Sequence, residues 1–198
     1  MKEIESLLKL YNKRKSDIKK FLKNIKNNDD YILGELYFCL LTPQSKAKKC
    51  RDIVNELKSK NLLFNPKLKE IKRILKGAGH RFPNKAEYIV KVNKNFKEIK
   101  NNLERDWLVK NVKGFGMKES SHFLRNIGFR NVAIIDTHIL KFFKKIGLFK
   151  GKKGSITKKQ YLNLEKKFFR LSKELNIPPE ELDIVIWLYQ SGEKQFYG

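Results

Sequence analysis

Hydrophobic residues recur along this chain at steps of three and four, the spacing that gathers apolar side chains on one face of a helix. "MKEIESLLKLYNKRKSDIKKFLKNI" carries the pattern from the first residue, with a break expected near Ser16. "NNDD" then offers an N-cap to "YILGELYFCLL", a segment apolar enough to be buried. Thr42-Pro43 closes that helix, and Ser45 is placed to cap the next. "NPKLKEIKRILKGAG" ends on Gly77 and Gly79 in the manner of a helix C-cap, and "PNKAEYIVKVNKNFKEI" begins with a proline suited to a first helical turn. From Arg105 to Phe143 the order reads short helix, glycine hairpin, helix, connecting loop, helix. Two amphipathic helices follow, near Lys158–Leu175 and Pro179–Tyr189. "NVAII" is the best strand candidate, but it is short and runs straight into Asp136. The pattern predicts an all-α fold, and so many short helices predict a lobed arrangement rather than one simple bundle.

Charge adds a weaker signal. Lys and Arg number 45 against 21 Asp and Glu, a formal net charge of +24 over 198 residues. Such an excess attracts polyanions, nucleic acid above all, with an affinity that falls steeply with salt. It is equally what a lysine-rich proteome would place on solvated faces, and the lysines are spread along the whole chain. The 40% hydrophobic content marks a folding chain and not a disordered basic tail. Cys39 and Cys50 can build neither a disulfide framework nor a four-cysteine cluster, and both are expected to be reduced and structural. No apolar run approaches a membrane span and the amino terminus lacks a signal-peptide pattern, so a cytosolic or nucleoid-associated protein without a membrane partner is expected.

The chemistry concentrates in "VKGFGMKESSHFLRNIG". Gly114 and Gly116 permit backbone angles that other residues resist, and they remove side chains that would keep another molecule off the backbone. The freed amides and the following helix N-terminus would suit a phosphate oxygen, while Phe115 between them would point inward. A plain αα-hairpin with glycines at its turn fits the spacing as well. Lys118 falls in the first turn of the helix that the hairpin opens. The positive end of the helix dipole disfavours a protonated amine there, and a neutral amine is a nucleophile toward sugar carbons and carbonyls. Eighteen residues later, Asp136 follows an apolar run in "AIIDTHIL"; it reads as a helix N-cap, as a rigidly held functional carboxylate, or as both.

On these residues the chain resembles the helix-hairpin-helix DNA glycosylase superfamily. "RDWLVKNVKGFGMKESSHFLRNIGF" with "AIIDTHIL" behind it is most similar to the archaeal-type 8-oxoguanine DNA glycosylase/AP lyases, which some bacteria also carry. Upstream, "LLTPQSKAKKC" is similar to the segment bearing the superfamily's polar wedge, and "GAGHRFPNKAEYIV" to its glycine-Arg-Phe-Lys-Ala stretch. The resemblance implies two helical lobes, residues 31–134 with the hairpin near 107–128 and residues 1–30 with 135–198, and an active site in the cleft between them. It implies extrusion of a damaged base from duplex DNA, attack of Lys118 on C1′ to displace 8-oxoguanine, a Schiff base, and strand nicking by β-elimination. Asp136 would assist proton loss from the lysine and stabilise positive charge on the sugar.

The same resemblance assigns DNA contacts to Gly114, Gly116, His138, Gln44 (the wedge facing the orphaned cytosine) and Arg81, and base-pocket roles to Phe82, Trp187 and Lys194. Each has a plainer reading beside it: a packed histidine, a capping glutamine, core aromatics. No cofactor is implied, although relatives hold a monovalent cation, K+ or Na+, on hairpin carbonyls that map to Lys110, Val112 and Gly114. An iron–sulfur cluster is not expected, because no cysteine follows Cys50. The expected partner is double-stranded DNA containing 8-oxoguanine, met by a monomer in the cytoplasm of an archaeal or bacterial cell. Two departures stand out: "GFRNVAIID" lacks the superfamily's frequent Gly-Pro, and the chain ends "EKQFYG" where the archaeal-type enzymes commonly finish with a lysine. A same-fold glycosylase for another lesion and a non-catalytic helix-hairpin-helix DNA-binding protein are the alternatives.

Overall fold

The computed structural model describes residues 2–130, 132–151, 156–192 and 196, and all regular structure among them is helical. In chain order the helices are α1 (Lys2–Lys23), α2 (Asp29–Leu41), α3 (Ala47–Ser59), α4 (Leu68–Gly77), α5 (Lys85–Lys94), α6 (Phe96–Asn101), α7 (Arg105–Asn111), α8 (Met117–Asn126), α9 (Thr137–Lys145), α10 (Lys158–Leu175) and α11 (Pro179–Ser191). Two compact units result. One is formed by residues 26–128 and the other by α1 together with residues 129–196.

In the first unit α2 is the central rod, and every residue from Ile32 to Leu41 is buried. Asn28 caps it, its side-chain oxygen accepting the Tyr31 amide at 2.9 Å. Helices α3, α5 and α8 pack around it. The one carboxylate inside this apolar rod, Glu35, accepts from Arg51 of α3 at 2.7 Å and from the Asn126 amide of α8 at 2.6 Å. Burial pushes the Glu35 carboxyl above the ordinary range, against the pull of Arg51 and Asn126. A buried charge with two directed partners ties three helices into one register.

In the second unit α11 packs against α1, α9 and α10. The described part of the strand candidate, residues 132–135, forms no strand, and its backbone is satisfied by side chains of α10. The Ala133 amide donates to Glu165 at 3.0 Å, while the Tyr161 hydroxyl donates to the Ala133 carbonyl at 2.7 Å and accepts the Ile135 amide at 3.1 Å. Backbone outside a helix can therefore be buried here without a sheet partner.

Local expectations fail at three places. α1 runs unbroken through Ser16, which falls on its polar, exposed face. The helix expected from Pro83 onward divides at Asn95 into α5 and α6. Ser45 does not cap α3, whose N-cap is Lys46; its hydroxyl instead meets the His80 ring at 3.1 Å.

Candidate active site

The hairpin between α7 and α8 is built by one left-handed residue. Gly114 adopts φ +96°, and a Cβ there would stand 2.8 Å from the Tyr88 ring and 3.2 Å from Leu40. Gly116 differs from expectation: its φ of −110° with ψ −168° is extended backbone that any residue adopts, and it serves as the N-cap of α8. The Gly116 amide donates to the Glu119 carboxylate at 3.1 Å. Phe115 turns inward as expected, 7% exposed, with its ring 6.0 Å from that of Phe123. The Val112 carbonyl accepts the Phe115 amide at 3.0 Å, a turn bond that still leaves a lone pair on this oxygen. Carbonyl oxygens of this kind fit a hard monovalent cation. Among the described residues no cluster of three His, Cys, Asp or Glu could hold a metal ion.

Lys118 stands in the first turn of α8 with its side chain 25% exposed. Its Nζ lies 3.5 Å from the Thr42 hydroxyl and 3.9 Å from a Glu119 carboxylate oxygen. Thr42 opens the loop between α2 and α3, so the amine on α8 hangs over the wedge-like segment of the sequence. In that loop Gln44 is exposed and holds a left-handed φ of +58°, a strained conformation for a residue with a Cβ. It caps neither neighbouring helix.

Beneath this loop lies a cluster that the sequence did not announce. Lys85, 8% exposed, donates to the carbonyls of Leu41 at 3.3 Å and Pro43 at 3.2 Å. His80, 5% exposed, places Nε2 3.1 Å from the Leu41 carbonyl and 3.1 Å from the Ser45 hydroxyl, while its Nδ1 accepts the Phe82 amide at 3.2 Å. An accepting Nδ1 and a donating Nε2–H define the neutral tautomer. In keeping with that, burial lowers the His80 pKa. Burial also lowers the Lys85 ammonium to about 8. Phe82 is half-buried and not a core residue, with the Lys85 amine 5.4 Å and the Arg81 guanidinium 5.7 Å from its ring centre. Arg81 is exposed. A signal for this cluster was present only as "HRFPNKA", whose histidine and lysine carried no periodic meaning.

In the second unit Asp136 is the N-cap of α9, and its Oδ1 accepts the amides of His138 at 2.8 Å and Ile139 at 3.0 Å. Both bonds fall on one oxygen, which leaves Oδ2 for other chemistry. The His138 ring meets Trp187 of α11 edge-on, 6.4 Å between centres, and its Nδ1 is buried without a hydrogen-bond partner. Trp187 is half-buried. Asp136, His138 and Trp187 thus belong to one neighbourhood of this unit. Lys194 lies outside the described residues. Cys39 and Cys50 are buried free thiols, and burial pushes Cys50 up to about 11 and holds Cys39 well above the usual thiol range. No helix among the described residues is long and apolar enough to cross a membrane.

Comparison with known proteins bears on this arrangement. A family model described as 8-oxoguanine DNA glycosylase, helix-hairpin-helix type, matches residues 11–177. An 8-oxoguanine DNA glycosylase/AP lyase of Fusobacterium nucleatum is 37% identical, over 93% of this chain and 93% of its own length. That of Methanocaldococcus jannaschii is 38% identical, over 93% and 90%. The crystal structure of a Methanocaldococcus jannaschii 8-oxoguanine glycosylase/lyase with a 15mer DNA containing 8-oxoguanine superposes with a TM-score of 0.89 at 32% identity, covering 99% of this chain and 100% of that one. The 8-oxoguanine DNA glycosylase of Thermotoga maritima gives 0.88 at 28% identity, over 97% of each chain. With its glycine hairpin, its lysine at the head of α8 and this likeness along nearly its whole length, the chain belongs to the 8-oxoguanine DNA glycosylase family of helix-hairpin-helix proteins.

Proposed function

We propose that this protein excises 8-oxoguanine from double-stranded DNA and then nicks the strand at the resulting site by β-elimination. The observation that carries the reading is the Lys118 amine, set by a glycine hairpin at the head of α8 and held beside Thr42 with a quarter of its side chain exposed. A lysine so confined is poised for attack, whereas a lysine that merely solubilises a surface extends into water. The hairpin and the exposed Arg81 grip the phosphate backbone; the carbonyls of Lys110, Val112 and Gly114 would hold a monovalent cation, which would supply positive charge to the same phosphates. Gln44 enters the gap left by the extruded nucleotide. Phe82 and Trp187 stack on the flipped base, and Lys194 contributes to its recognition.

Lys118 then forms a bond from Nζ to C1′ as the C1′–N9 bond breaks and the base departs. Oδ2 of Asp136 faces the positive charge that develops on the sugar and draws the proton from the attacking amine. The C1′–O4′ bond then breaks as O4′ takes a proton, which opens the sugar and leaves a C1′=Nζ Schiff base; loss of a C2′ proton from it breaks the C3′–O bond and expels the 3′ phosphate. Lys118 belongs to the lobe expected over 31–134 and Asp136 to the other. His138 contacts a backbone phosphate. The protein acts as a monomer in the cytoplasm, on the nucleoid of an archaeal or bacterial cell, without an iron–sulfur cluster.

Borohydride reduction in the presence of a duplex with one 8-oxoguanine opposite cytosine tests this directly. A covalent protein–DNA adduct is expected from the wild type and none from Lys118→Gln, which should still bind the duplex. Absence of the wild-type adduct on both that substrate and an abasic duplex would overturn the lyase reading. Trapping only on an oxidised pyrimidine or a mismatch would reassign the lesion.

A further inference from the structure

Gln44 and Phe82 sit on different segments, 38 residues apart in sequence, yet one buried side chain touches the supports of both. We propose that Lys85 is a positioning residue for base extrusion: its ammonium fastens the Leu41–Pro43 turn that carries Gln44 while standing over the Phe82 ring, and so holds wedge and stacking face in one arrangement. The inference rests on the roles given above to Gln44 and Phe82.

Three observations support it. The Gln44 backbone is strained at φ +58°, and such a conformation persists only where the surroundings over-determine it. The over-determination is visible: Lys85 and His80 converge on the Leu41 carbonyl, Lys85 also takes the Pro43 carbonyl, and His80 holds Ser45 on the far side of Gln44. The same His80 ring accepts the Phe82 amide, so the backbone that presents Phe82 is tied to the loop that presents Gln44. Finally, a buried ammonium is a costly way to bridge two carbonyls, since burial works against its charge. A site that keeps one gains the reach of a long side chain and a donor that can address both carbonyls and an aromatic ring together.

The groups facing Lys85 are Cys50 on α3, Glu119 and Lys118 on α8, and His80. Burial keeps the Cys50 thiol neutral up to about pH 11 and the His80 ring neutral at ordinary pH. Lys118, the proposed nucleophile, is removed from the measurement by substitution. Above pH 8 the Lys85 clamp loses its charge.

The test uses the full chain and a duplex with 2-aminopurine beside the 8-oxoguanine, whose fluorescence rises when the lesion leaves the stack. In Lys85→Met, single-turnover excision and the fluorescence change are expected to fall at least about tenfold. Adduct trapping on a preformed abasic site, which needs no extrusion, should fall far less. On a Lys118→Gln background, extrusion by the otherwise wild-type chain should decline from pH 7 to 9, and adding Lys85→Arg, which stays charged, should flatten that decline. Equal losses of excision and abasic-site trapping in Lys85→Met would reduce Lys85 to a structural residue and overturn the proposal, as would a silent Lys85→Met or an unchanged decline with Lys85→Arg. A Gln44→Ala protein that extrudes normally would instead remove the wedge assignment on which the proposal stands, a failure distinguishable from a silent Lys85.

Discussion

The Tyr88 ring lies 2.8 Å from where a side chain on Gly114 would begin, and Gly114 already holds a φ of +96°. Two independent requirements, a left-handed backbone and a close aromatic neighbour, therefore converge on one glycine. Gly114→Ala should lose about 1–3 kcal/mol of stability, the strain of the left-handed conformation plus the displaced ring. Gly116→Ala, on extended backbone and meeting only the mobile end of Glu119 at 3.2 Å, should fold nearly as well as wild type while binding duplex DNA more weakly. Urea denaturation and DNA titrations on both variants separate the two effects. Equal stability losses would contradict the distinction.

Asp136 combines a cap with a carboxylate. Asp136→Asn keeps an oxygen for the His138 and Ile139 amides and should change stability by less than about 0.5 kcal/mol, yet lower excision by about a hundredfold or more. Asp136→Ala should add the loss of a cap, about 1 kcal/mol. Thermal melts beside single-turnover rates decide the matter, and an Asn variant of full activity would remove the carboxylate from the chemistry.

Tyr161 secures the backbone that leads to Asp136, donating to Ala133 and accepting from Ile135. Tyr161→Phe leaves both buried groups without that partner and should cost about 1–3 kcal/mol. Excision should fall while the affinity for duplex DNA, which the proposed function assigns to the hairpin, stays close to wild type. Matched affinity and excision losses would point instead to general unfolding.

Glu35 is held by Arg51 and Asn126 inside the first unit. Arg51→Met strands that carboxylate and should cost about 3–5 kcal/mol at neutral pH. Its folded-state pKa already lies above the unfolded value, so the folded state binds the extra proton. Stability tied to Glu35 is thus present at low pH and lost as pH rises through the folded pKa. The variant should recover relative to wild type between pH 7 and pH 5, measured by denaturant midpoints, and further loss on acidification would reverse the sign.

Lys85 titrates in the opposite sense. Its folded pKa of about 8 lies below the ordinary 10.5, so between these values the unfolded chain binds more protons. Folding stability tied to Lys85 should therefore rise with pH across that window, the wild type gaining on Lys85→Met from pH 8 to 10. A constant difference between the two proteins would show that the ammonium is not confined as the structure places it.

Residue by residue, the chain's own pattern determined a great deal. The apolar period set the bounds of α10, and the "NNDD" stretch marked the start of α2, where Asn28 is the cap. The glycine hairpin, Lys118 behind it and Asp136 at an N-cap were legible because caps, turns and first-turn positions depend on neighbours within about four residues. Tertiary structure alone decided what supports them. Lys85 reaches Leu41 across 44 residues, Tyr161 reaches Ala133 across 28, and Asn126 reaches Glu35 across 91. Periodicity does not separate Lys85 from the other basic residues, although it falls in a stretch similar to the family's, nor Glu35 from a misplaced polar residue in an apolar helix. Periodicity records which face of a helix avoids water, whereas a buried polar contact is defined by the partner that packing delivers, and that partner is named only once the chain has folded.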